Sequence, residues 1–280
     1  MKKIILLTCM LLLGGCSTKF AYNNASWLIY WYMDDYIELN DAQEDQFDRY
    51  FAEWIEWHKA EELPKYAAQL NQIIEDIEQQ NINLERIAFH RDNARAHWVR
   101  AREYIAEDLV ALGRTLSEEQ VVYLLAALEE ENQEDEEEMA ENKELSKDKR
   151  DRNWVKRNQK NIRRWMGRLS DEQKLFISGF RERFESTGVL WLDYKRRYQQ
   201  ALRETFAMSA RDENFDAALL ELIVNPEQYR GEVFDEATDR NLLAASEYMM
   251  GLYDMANKKQ LKRLIDEIDS IKEDAISLQK

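Results

Sequence analysis

The sequence predicts an all-α protein, a bundle of long amphipathic helices, on three observations. From Asn23 onward apolar residues recur at three- and four-residue spacing, with almost no two-residue alternation. Only 8 Gly and 2 Pro occur in 280 residues, too few for the turns of a sandwich or barrel or for phosphate-cradling loops. Four segments also share one helix-start formula, an apolar residue, Ser or Asn, two residues, then Gln. The length is sufficient to bury a real core.

The chain opens with Met1-Lys2-Lys3, then an apolar run from Ile4 to Leu13 broken only by Thr8, then Gly14-Gly15-Cys16. That is the layout of a secretory signal. About ten apolar residues are too few to cross a bilayer core of roughly 30 Å, so residues 1–15 are expected to be removed between Gly15 and Cys16. Leu13-Gly14-Gly15-Cys16 resembles the bacterial lipobox. The resemblance implies a diacylglycerol thioether and an N-acyl chain on Cys16, and no other cofactor is expected. Several acyl chains hold a protein on a membrane more firmly than one. Ser17, rather than Asp, implies by resemblance to sorted lipoproteins a body on the periplasmic face of the outer membrane.

Cleavage would remove Cys9 and leave Cys16 as the one thiol, excluding a disulfide, a thiolate metal site and a cysteine nucleophile. It would also remove Lys2 and Lys3 from a chain with 39 basic and 55 acidic residues, net −16. This is the wrong sign for nucleic acid, and it repels anionic head groups, so the lipid is expected to do the holding.

Residues 16–22 read as the lipidated tether and 23–280 as the body. Phe20 to Tyr36 is dense in aromatics, and Tyr22, Asn23, Asn24, Trp27, Tyr30 and Trp31 are candidate binding residues. Trp27, Tyr30, Trp31 and Tyr32 could rest at a membrane interface, or line a groove for a ligand or peptide. The packing alternative is that this helix, capped by Asn24 or Ser26, forms the hydrophobic centre of the bundle. Cys16 followed by Ser-Thr-Lys-Phe-Ala-Tyr-Asn-Asn, then Trp-Leu-Ile-Tyr-Trp-Tyr and Asp34-Asp35-Tyr36, resembles a family of bacterial lipoproteins of unknown function marked by Tyr-Asn-Asn. The resemblance implies location and size, and no activity.

The remaining helices follow in order. Phe47, Tyr50, Phe51, Trp54, Ile55 and His58 share one face, and Leu63 to Ile77 repeat the pattern after Pro64, placed in a first helical turn. Leu84 to Leu112 marks a long helix ending near Gly113, and Leu175 to Phe206 another with a kink at Gly188. A shorter one carries Leu219, Leu220 and Ile223, and a last one runs from about Glu227 to Ile271.

The shared formula is a capping box: Asn40 with Gln43, Ser117 with Gln120, Ser170 with Gln173, and Asn225 with Gln228. The Ser or Asn oxygen accepts from the third amide, and the Gln side chain returns to the cap's own amide. Only Leu116 and Val121 fit the accompanying hydrophobic staple. The last two intervals hint at a repeat of about 54 residues. Leu-Ser-x-x-Gln is also similar to a motif of small periplasmic stress chaperones of the Spy and CpxP type, which are shorter and basic on the client face.

Glu129 to Glu144 holds ten acidic residues and Lys147 to Arg168 ten basic ones, predicting a charged, protruding helical hairpin and a sub-boundary near 129–150. The acidic block lacks the Gly turn and ligand spacing of a calcium loop. For a di-iron bundle His58 and His97 would need Glu three residues ahead, but Ile55 and Ala94 stand there. His90 and His97 lie among arginines that repel a cation. No metal site, catalytic residue, nucleophile elbow, P-loop or dinucleotide fingerprint is expected. The composition points to a lipid-anchored protein that binds or scaffolds a protein partner. A chaperone-like binder of unfolded clients and a carrier of lipid or hydrophobic ligand are the alternatives. The carrier would show an apolar cavity beside Trp27 and Trp31.

Overall fold

The computed structural model describes residues 16–280. The signal stretch and Gly15 lie outside them. The described residues form an all-α, multi-helix bundle: α1 (Cys16–Asn23), α2 (Ala25–Met33), α3 (Asp41–Trp57), α4 (Leu63–Glu78), α5 (Leu84–Thr115), α6 (Glu118–Glu144), α7 (Lys147–Met166), α8 (Asp171–Phe180), α9 (Gly188–Phe206), α10 (Glu213–Val224), α11 (Glu232–Asp254) and α12 (Lys258–Leu278). Among them no helix is long and apolar enough to cross a membrane.

Two long pairings organise the bundle, α4 with α12 and α5 with α10. Ile74, Ile77 and Ile268 bury the first seam. Val110, Phe206, Phe215 and Leu219 bury the second, with Leu116 and Val121 meeting at its edge as the staple requires. Gly113 permits the close crossing of α5 and α10, since a methyl there would sit 2.5 Å from Leu219 Cδ2. A third core joins α7, α8 and α11 through Leu169, Ile177, Tyr248 and Leu252.

Three of the four expected capping boxes form, at Asn40–Gln43, Ser117–Gln120 and Ser170–Gln173. The fourth does not. Asn225 ends α10, and Pro226 opens a short 3₁₀ turn instead of an α-helix. Asn225 and Gln228 both donate to Glu221, so neither side chain caps a helix. The expected final helix is split at residues 255–257, where Asn257 and Gln260 make a box of their own. Ser117→Ala and Ser170→Ala should each lower stability by about 0.5–2 kcal/mol. Thermal melts of the two variants check this.

The boxes meet in pairs. Gln43 and Gln120 exchange amide hydrogen bonds, Nε2 to Oε1, at 3.0 and 2.7 Å. Gln43 Nε2 also donates to the Thr115 carbonyl at 2.9 Å, and Gln120 Nε2 to the Glu38 carbonyl at 2.6 Å. Each of these carbonyls lies two residues before the partner's cap. Gln173 and Gln260 repeat the arrangement, bonding each other at 3.2 and 2.9 Å and the carbonyls of Met255 and Arg168. The pairing thus joins 40 with 117 and 170 with 257, which is not the 54-residue spacing read from the sequence.

The charged segment also differs from a protruding hairpin. α6 packs along α9, where Lys195 reaches Asp135 at 2.5 Å and Arg196 reaches Glu136 at 2.9 Å. Asn132 is wholly buried against Gln199, and Met139 lies over Gly188. The basic α7 packs on α12 and α8. Oppositely charged faces therefore do meet, but α9 supplies the cations for the acidic helix. Gly188 is not a kink. The expected 175–206 helix breaks into α8, a 3₁₀ turn and α9, and Gly188 begins α9.

Candidate functional site

The expected separation of α3 from α4 at Pro64 is replaced by a widened π turn, His58–Glu62, which carries the helix straight through. Proline offers no N–H to the carbonyl four residues back and crowds it, and a wider turn relieves that conflict. Its effect is to turn His58 and Glu62 inward together with Tyr66 and Gln69 of α4.

Glu62 is 0% exposed. Its Oε1 accepts from Arg100 Nε at 2.7 Å and Lys65 Nζ at 3.0 Å, and its Oε2 pairs with His97 Nδ1 at 2.9 Å and Arg100 Nη2 at 2.9 Å. His97 Nε2 reaches Gln69 Oε1 at 2.7 Å. Burial by itself would raise the Glu62 carboxyl, but the hydrogen bonds from Arg100, His97 and Lys65 outweigh it and hold it at about 2. The carboxylate raises Arg100 in return. Burial lowers His58, against the pull of Glu62.

About four turns further along the helix the pattern recurs. Asp76 is buried, pairs with His90 Nε2 at 2.7 Å, and accepts from Arg86. Its burial would raise it, and the bonds from His90 and Arg86 hold it below the usual carboxylate range instead. Two of the arginines that argued against a cation at His90 and His97, Arg86 and Arg100, therefore serve buried carboxylates. Among the described residues no three His, Cys, Asp or Glu are grouped to hold a metal.

The Tyr-Asn-Asn segment closes the network from outside. Cys16 opens α1, and Tyr22 on the same helix bonds His58 Nδ1 through its hydroxyl at 3.1 Å. His58 Nε2 lies 3.3 Å from the Tyr66 hydroxyl. Tyr22 also packs on Leu63, Ala275 and Leu278, and burial pushes its phenol up to about 12. Asn23 ends α1, and Asn24 bonds the Phe20 carbonyl at 2.7 Å without capping α2 through its side chain.

α1 and α2 are not the centre of the bundle. Trp27 is 60% and Phe20 57% exposed, while Ala21 and Leu28 face inward. Trp31 stacks on Trp27, and Tyr30 meets Phe47 edge-on and donates to Asp48. The segment lies against the body on one side, and Phe20 and Trp27 are the two of the seven rings from Phe20 to Tyr36 left exposed. Sequence reasoning missed the Glu62 and Asp76 clusters. The available signal was the polar stripe His58, Glu62, Tyr66 and Gln69 at helical spacing.

Two open clefts flank the glutamine pairs. One of about 970 Å³ lies at Gln120 and is bordered by Asp34, Glu38, Glu44 and Glu119. The other, about 490 Å³, lies by the second pair and is bordered by Arg163, Arg168, Lys174 and Arg263.

No curated protein and no solved structure matches the chain. Residues 35–234, well over half the length and including both buried carboxylate clusters, match a family of unknown function (DUF6279), and the chain belongs to that family.

Proposed function

We propose that this is a lipid-anchored protein of the outer membrane's periplasmic face, and that it binds or scaffolds a protein partner instead of catalysing a reaction. The observation that carries this reading is the division of labour on α1 and α2. Tyr22 locks the first helix into the body, while Phe20 and Trp27 hold their rings in solvent a few residues from Cys16. Amphipathic rings beside a lipid attachment favour the head-group region. A body bolted to its anchor is presented at a fixed distance from the bilayer, which suits a scaffold.

Two further features support binding. Of the buried groups able to do acid–base chemistry, Glu62, His97 and Asp76 are held by internal partners, and His90 is held to Asp76 through Nε2. Large apolar side chains are instead left outside, Trp98 at 65% and Leu175 at 75% exposure. The Leu-Ser-x-x-Gln motif is spent on joining helix starts. Trp27 and Trp31 stack on each other at the surface and border none of the clefts described above.

Cys16→Ser should leave the chain unprocessed and free of lipid. Globomycin should cause the wild-type precursor to accumulate. Fractionation of the Cys16→Ser protein with membranes exactly as the wild type does, or no precursor under globomycin, would overturn the anchor.

A further inference from the structure

We propose that the cleft between the end of α7 and the starts of α8 and α12 is a binding site for a phosphate-bearing ligand. Five cationic side chains from three helices and one loop converge there: Arg163, Arg168, Lys174, Lys259 and Arg263. The cavity of about 490 Å³ adjoins a second of about 430 Å³, and the two share Gly167, Arg168, Leu169 and Arg263. Together they are large enough for a phosphorylated head group or a diphosphate.

The charge is out of keeping with the rest of the molecule. The chain is net −16, so five cations lining one cleft run against its overall charge, and several surface cations elsewhere are tied to carboxylates, as in Arg240 with Glu185 at 2.7 Å or Arg196 with Glu136 at 2.9 Å. In the cleft Lys174 meets Asp171 at 2.7 Å and Arg263 meets Glu267 at 3.4 Å. Arg163, Arg168 and Lys259 have no carboxylate within 4.0 Å among the described residues, although all three are exposed. Like charges held together without counter-ions repel, and a multivalent anion between them removes that repulsion.

The cleft is also shaped in advance. Gly167 turns the chain at φ 76°, a conformation that favours glycine, and the Arg263 stem lies over it. A methyl at 167 would come within 3.3 Å of Arg263 Cδ. Arg263 Nε and Nη2 donate to the Arg164 carbonyl at 3.3 and 3.1 Å, which fixes the plane of its guanidinium. Planar guanidinium groups match two phosphate oxygens at once, and a group already fixed loses less freedom on binding. Three cations without a carboxylate partner, beside two that have one, suit a ligand with two or more negative charges, which selects phosphate chemistry over a single carboxylate.

The test uses the mature lipidated protein in neutral detergent micelles. Inorganic pyrophosphate is titrated in one arm, and phosphatidic acid, whose head group is a phosphate monoester, is doped into the micelles in the other. Saturable binding that weakens with salt is expected in at least one arm, and the arm that responds identifies the source of the phosphate. The double variant Arg163→Ala, Arg168→Ala should lower affinity at least about tenfold, and Lys259→Glu should do the same, by loss of charge-assisted hydrogen bonds. Glu38→Gln in the acidic cleft should leave binding unchanged. The exposed variants should melt with the wild type, so lost binding would not reflect lost folding. No saturable binding in either arm, or full affinity in the Arg163/Arg168 variant, would overturn the proposal.

Discussion

Glu62→Ala is expected to destabilise the protein by about 3–5 kcal/mol, the range for removing one partner of a buried charged cluster. In a chain of this size that lowers the melting temperature by roughly 6–20 °C. The effect comes from what remains. Arg100 and His97 stay at their posts on α5, and neither has another carboxylate in the network to answer it. The Arg100 charge and the His97 ring nitrogen then lose their partner, or water must enter beneath Tyr22. Glu62→Gln keeps the shape and should lose less.

The same group sets a pH dependence. Its carboxyl is held at about 2 in the folded chain against an ordinary 4.5. Across that interval the unfolded chain takes up a proton that the folded chain refuses. The stabilisation, roughly 3 kcal/mol by linkage, is therefore complete above about pH 4.5 and disappears as pH falls towards 2. Denaturant melts from pH 7 to pH 2.5 should show the wild type losing more stability than Glu62→Gln. Parallel curves would remove the charge network from the account.

The second large effect is Gln173→Ala, expected to lose about 3–5 kcal/mol. Gln173 is 0% exposed. Its Oε1 accepts from the Ser170 amide and from Gln260 Nε2, and its own Nε2 donates to Gln260 and Met255. Deleting it strands several buried groups at about 1–3 kcal/mol each. Gln120→Ala at the other clasp should cost less, because Gln120 is only half-buried and water can replace its bonds. Chemical denaturation of both variants measures the difference, and equal losses would contradict the burial argument.

These two sites differ in how far the sequence showed them. Capping boxes were legible at Asn40, Ser117 and Ser170 because every atom of a box lies within four residues. The same local rule failed at Asn225, where Pro226 turns the chain into a 3₁₀ segment and Gly231 starts the helix instead. It also passed over Asn257, which follows Ala256 and precedes Lys258 and Lys259, a first turn without acidic residues. What no box could show was its partner, because Gln173 and Gln260 stand 87 residues apart. Glu62 was hidden for the same reason. Its contacts to His97 and Arg100 span 35 and 38 residues, and a glutamate among 55 acidic residues draws no notice until a π turn points it inward.

The reciprocal glutamine clasps carry one more consequence. Helices usually fray from their tips, because the first amides have no partner within the helix. Here the tips of α3 and α6 are knotted to each other, as are those of α8 and α12, and neither member of a knot can loosen without releasing its mate. Melting must therefore spread towards these ends and not out from them, and the joints become the last places where the bundle comes undone.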